Sequence, residues 1–136
     1  MFFSKTLTTT ALLSLLRLGA AAPAPAPAAL AERSTTGSFT YYETGLGACG
    51  WYSSDSDYIV ALNWEQFDPS TPNGNPNDNS LCGSQIQANY NGNSVVVTVV
   101  DRCAGCSWGD LDFSPAAFSQ LADLSVGRIE GTWDWI

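Results

Sequence analysis

The sequence predicts an all-β chain folded as a small barrel. Three observations lead there: short β-forming segments broken by Gly-, Asn- and Pro-rich turns, a single strong helix start, and no internal repeat. The folded domain is expected to occupy residues 37–136, because what precedes it reads as a leader and a tether.

Residues 1–21 have the form of a signal peptide. Lys5 gives a positive start, residues 11–16 a short apolar run, and Gly19, Ala20 and Ala21 a small-residue cleavage site. Arg17 interrupts the run, which falls short of the ~20 apolar residues that a membrane helix needs. The chain is therefore expected to be secreted and extracellular, with no membrane partner. In residues 22–36, alternating Ala and Pro (22–27) fix φ and remove N–H donors. That makes an extended linker, or a propeptide cut after Arg33.

Residues 37–43 (GSFTYYE) predict the first strand from their aromatics and β-formers. Gly45, Gly47 and Gly50 around Cys49 mark a tight, irregular segment. Residues 58–63 (YIVALN) read as a short buried strand, and 64–67 as one helical turn. Residues 68–80 hold three prolines and four asparagines, so they predict a surface loop. Asn91-Gly92 between 81–90 and 94–101 is a hairpin signal. The second arm, Val95 to Val100, is apolar on both faces and belongs in a covered sheet. Ser114-Pro115 starts a helix, with Ser as N-cap and Pro in first position. Ala117, Phe118, Leu121 and Leu124 supply its apolar stripe, and Gly127 a left-handed stop. Residues 128–136 form the last strand, with Ile129, Gly131, Trp133 and Trp135 on one side. Trp133 and Trp135 are expected in the packing rather than in a site.

Composition removes several chemistries. There is no His, and Lys5 is the only Lys, which excludes His-dependent triads, His-ligated metals and lysine Schiff bases. Without the leader, Arg33, Arg102 and Arg128 stand against thirteen acids, a formal charge of −10. Nucleic acid is not a partner for such a chain. Four cysteines suit an oxidising compartment and allow three pairings. The expected pairing is Cys49–Cys82 with Cys103–Cys106; a zinc site would need all four. No metal or cofactor is expected.

Further strings are informative in combination. Gly37-x-Phe39-Thr40-Tyr41-Tyr42 precedes Gly47-Ala48-Cys49-Gly50, and Asp101-Arg102-Cys103-Ala104-Gly105-Cys106 closes the Val-rich strand. Next come residues 110–118 (DLDFSPAAF), Val126-Gly127-Arg128-Ile129 and Trp133-x-Trp135. Together they resemble the double-psi β-barrel proteins, and within them the small secreted fungal expansin-like proteins, loosenins and rare-lipoprotein-A-like domains. The resemblance implies a six-stranded double-psi barrel with one or two short helices. It also implies an open groove lined by a Thr, two Asp and aromatics. Position by position these are Thr40, Asp101 and Asp112, with Tyr41 or Tyr42 beside them. Expansins add a second, carbohydrate-binding module, which is expected to be absent here, and many plant members carry a His that this chain lacks.

Polysaccharide recognition uses flat rings and short polar groups, and Trp51 and Trp108 lie in Gly-, Ser- and Asp-rich segments suited to it. Asp101 at a strand end and Asp112 before a helix also have structural readings, as a cap and as a helix-terminus charge. The resemblance makes Asp112 a proton donor or clamp on a glycosidic oxygen, with loosening but no hydrolysis. In the related family-45 endoglucanases, alignment on Ala48-Cys49-Gly50-Trp51 puts Glu43 at the place of the general base. Hydrolysis needs two flanking carboxylates. A different class is also implied: bacterial relatives with similar strings inhibit papain-like cysteine proteases, and barwin-like relatives act in defence. The expected partner is thus a cell-wall glycan, with a cysteine protease as alternative, and the barrel is expected to act as a monomer.

Overall fold

The computed structural model describes residues 33–136; the signal peptide expected at 1–21 and most of the linker expected at 22–36 lie outside the described residues. The strands are β1 (Thr35–Tyr41), β2 (Ile59–Asn63), β3 (Gln85–Tyr90), β4 (Asn93–Cys103), β5 (Leu111–Phe113) and β6 (Ile129–Trp135). Two short helices, α1 (Trp64–Phe67) and α2 (Pro115–Ser119), sit between strands. The sheet closes on itself in the order β1-β5-β2-β4-β3-β6. Two of its six contacts are parallel, β1 with β5 and β2 with β4, and the others antiparallel.

Closure removes every sheet edge and wraps one apolar interior. Phe39, Leu62, Phe67, Ile86, Phe113 and Trp133 are among the side chains fully sealed there, each contributing about 1.5–3 kcal/mol by leaving water. All five residues of β2 are buried, four as an apolar run predicts and Asn63 as the cap of α1, accepting from the Gln66 N–H. Asn91 (φ 48°) and Gly92 (φ 82°) make the two-residue left-handed turn that joins β3 to β4. Ser114 caps α2 by accepting from the Ala117 N–H, and Pro115 takes the first position. The cysteines pair as Cys49–Cys82 and Cys103–Cys106, with Cα separations of 5.8 and 5.4 Å.

Some expectations change in the structure. β1 begins at Thr35, so two residues read as linker enter the sheet against Trp133 and Thr132. β3 begins at Gln85, because Cys82 and Gly83 (φ 85°) are used in a turn. The helix from Pro115 stops at Ser119, whose hydroxyl bonds back to the Pro115 carbonyl. Leu124 therefore lies outside it, half exposed, and Gly127 closes a separate 3-10 turn over Leu124–Val126. The polar 68–80 loop is a chain of three 3-10 turns, each with a Pro in its first positions. Buried Asn79 pins it, donating to the Phe67 carbonyl and the Thr71 hydroxyl and accepting from the Leu81 N–H. Trp133 is sealed in the core, whereas Trp135 is partly exposed and stacks edge-on against it at 5.3 Å.

Candidate functional site

Four strands place four residues in one line across the outer barrel wall. Thr40 of β1 is opposite Asp112 of β5, Asp112 is opposite Ala61 of β2, and Ala61 is opposite Asp101 of β4. Residues opposite one another share a face, and alternation sends their neighbours Phe39, Leu111, Phe113 and Val60 inward. Asp101 reaches this line through a shift in the β2–β4 register. Val60 pairs with Val99 but Ala61 with Asp101, so Val100 is left over as a bulge. Without that extra residue, Val100 would stand beside Ala61.

The bulge is held by the loop after β1. The Cys49 N–H donates to the Val100 carbonyl at 3.1 Å, and Gly47 lies so close that a Cβ there would sit 2.3 Å from the same oxygen. The same loop binds the Asp101 carboxylate. Its Oδ1 accepts from the Ala48 and Arg102 N–H groups, each at 2.8 Å, and its Oδ2 accepts from the Tyr42 hydroxyl at 3.1 Å. Burial, the Asp101 charge and that hydrogen bond push the Tyr42 phenol well above its ordinary range, so it stays a donor.

Asp112 is placed differently. It accepts from the Thr40 hydroxyl through Oδ1 at 2.8 Å and is half buried. Burial raises its pKa, the Thr40 bond opposes that, the negative Asp101 raises it further, and Arg128 lowers it. The net direction is upward, so Asp112 holds its proton to higher pH than an ordinary carboxyl group. Its second oxygen joins none of the hydrogen bonds that occupy both oxygens of Asp101.

Thr40, Tyr42, Asp101 and Asp112 are thus brought together on one face. Tyr41 is not with them. Alternation turns it the other way, where its ring packs 5.0 Å from Phe118 and its hydroxyl donates to the Leu124 carbonyl. Glu43 lies two residues past β1, exposed, and joins none of these hydrogen bonds. Trp51 is 46% and Trp108 56% exposed; one follows the loop that binds Asp101, the other precedes β5. Residue reading gave no role to Ala61, whose small side chain separates the two carboxylates. Its sole sequence signal is being the smallest residue of an apolar run. Among the described residues no cluster of His, Cys, Asp or Glu suits a metal, and no helix is long and apolar enough to cross a membrane.

A closed six-stranded barrel with two parallel pairs among its six strand contacts defines the fold. The chain belongs to the double-psi β-barrel family, whose model, described as "Lytic transglycolase", matches residues 34–133. It is 39% identical over 105 residues to the papain inhibitor of Streptomyces mobaraensis, covering 74% of this chain and 71% of that protein. It is 34% identical over 116 residues to the "Allergen Asp f 7 homolog" of Arthroderma benhamiae, covering 74% of this chain but only 38% of that protein. A solved Streptomyces papain inhibitor superposes with a TM-score of 0.70 at 35% identity, covering 77% of this chain and 96% of the other. A Clavibacter michiganensis expansin solved with cellohexaose gives a TM-score of 0.64 at 24% identity, over 76% of this chain and 50% of that one. That last likeness establishes fold alone.

Proposed function

We propose that this protein is secreted, binds β-linked cell-wall polysaccharide along the Thr40–Asp112–Ala61–Asp101 row, and loosens it without hydrolysis. One observation carries the reading: only one of the two carboxylates is free to act. Asp101 spends both oxygens on two amides and a phenol, which fix the loop and the bulge. Asp112 keeps an open oxygen and a raised pKa, which suits donation to a glycosidic oxygen. Hydrolysis by paired carboxylates needs a second group to activate water, and Glu43 stands apart from the row. The expansin fold solved with cellohexaose supports a glycan as ligand. Two disulfides and the form of residues 1–21 support secretion.

The test is retention on insoluble cellulose and chitin together with loosening of filter paper. Wild type is expected to be retained, and Asp112→Asn to lose loosening while staying folded. A Trp51→Ala, Trp108→Ala pair is expected to weaken retention. Wild type that is neither retained nor active on either solid overturns the reading. A second reading is favoured by the 39% identity to the papain inhibitor: a rigid barrel that blocks a papain-like protease. Stoichiometric inhibition of papain by a protein that no glycan retains would put that reading in place of the first.

A further inference from the structure

The outer row continues past Thr40. Ser38 pairs with Glu130 and Phe39 with Ile129 across the antiparallel β1–β6 contact, so one step further brings Arg128 level with Thr40. Gly127 (φ 75°) delivers it by a tight turn, in which the Arg128 N–H bonds the Val126 carbonyl at 2.9 Å. Tyr41 steadies that turn from behind through its bond to the Leu124 carbonyl. Arg128 is exposed, and forms no ion pair among the described residues.

The other two described arginines are placed otherwise. Arg102 is held in a two-pronged contact by Asp68, at 2.6 and 2.7 Å, and Arg33 precedes β1. The Arg128 guanidinium thus stands two strand spacings, roughly 10 Å, from the Asp112 strand on the same line. It is in no close ion pair among the described residues, though its charge is felt by Asp112. The chain's net negative charge opposes a polyanion at long range, so a carboxylated sugar unit gains only where it touches the Arg128 guanidinium directly.

We infer that Arg128 forms an anionic subsite of the groove, taking the carboxylate of an acidic sugar unit in a strand whose neighbouring units lie over Asp112. This rests on the polysaccharide reading above. The guanidinium fork matches a carboxylate with two parallel hydrogen bonds, and an ammonium does not reproduce that geometry. The subsite therefore selects glycans carrying uronic-acid-like groups over neutral ones.

The probes are cellulose nanofibrils, unmodified and with their C6 hydroxymethyl groups oxidised to carboxylates, titrated against the protein at ~0.15 M salt, where the net repulsion is screened beyond about 8 Å. Wild type is expected to prefer the carboxylated fibrils by about tenfold, the scale of one charge-assisted bidentate contact. The preference should shrink in ~1 M salt, where the screening length is about 3 Å. In Arg128→Gln the ratio of the two affinities is expected to fall to one or below, at an unchanged melting temperature. Arg128→Lys should keep part of it. An Arg128→Gln protein with the wild-type ratio overturns the subsite, as does a wild type that binds neutral fibrils with no preference for carboxylate; in that second case the polysaccharide reading stands. Wild type that binds neither fibril removes both.

Discussion

At the scale of single residues, Asp101 and Asp112 are one strand apart from each other across Ala61 and do opposite work. Removing Asp101 leaves two backbone donors without their acceptor, so Asp101→Ala should cost about 2–4 kcal/mol, read from urea unfolding. Asp112→Asn keeps an acceptor for Thr40 and sheds a half-buried charge. The folded pKa of Asp112 is raised, so its contribution to stability is full below the unfolded value of about 3.9 and is lost as pH rises through the folded value. At neutral pH the variant should therefore melt at or above wild type, with the gap closing as pH falls toward 4. A variant that melts lower at neutral pH would make Asp112 structural. Both carboxylates and Thr40 were singled out through the resemblance, position by position; the residues alone left Asp101 and Asp112 with readings as caps. The sequence did not distinguish Tyr41 from Tyr42, since adjacent positions on a strand face opposite ways and strand phase is set by pairing partners far along the chain.

Elements show where local patterns stop being sufficient. The hairpin turn at Asn91-Gly92, the α1 turn and the Ser114 cap were all legible, because each is specified by contiguous residues. β5 was not: three residues are too few for alternation to register, and Leu111–Phe113 is a strand only because β1 and β2 flank it. The bulge at Val100 was equally hidden, since an even Val run conceals a skipped partner. That bulge depends on the close approach of Gly47, so Gly47→Ala should force the loop off the Val100 carbonyl. Overpacking of this kind costs about 1–3 kcal/mol, and chemical denaturation should show it together with weakened glycan retention. An alanine variant of wild-type stability would mean that the loop does not hold the bulge.

For the whole molecule, closure and two cross-links do what a core of about a hundred residues does incompletely. The Cys49–Cys82 bridge spans 33 positions and ties the site loop to the turn before β3. Replacing both cysteines by serine should lower stability by about 3–4 kcal/mol on chain-entropy grounds; a loss well below that in denaturant titration would show that the hydrogen-bonded loop already confines the chain. The 103–106 bridge encloses too few residues to contribute as much. Barrel closure itself is completed by β6, which pairs with both β1 and β3 and carries Trp133 and Trp135 edge to face. Their transition dipoles are close enough to couple, so the seam has an optical signature of its own. Near-ultraviolet circular dichroism reports whether β6 is seated, while the difference in emission between wild type and the Trp51→Ala, Trp108→Ala variant isolates what touches the loops, so the two signals separate unfolding from binding.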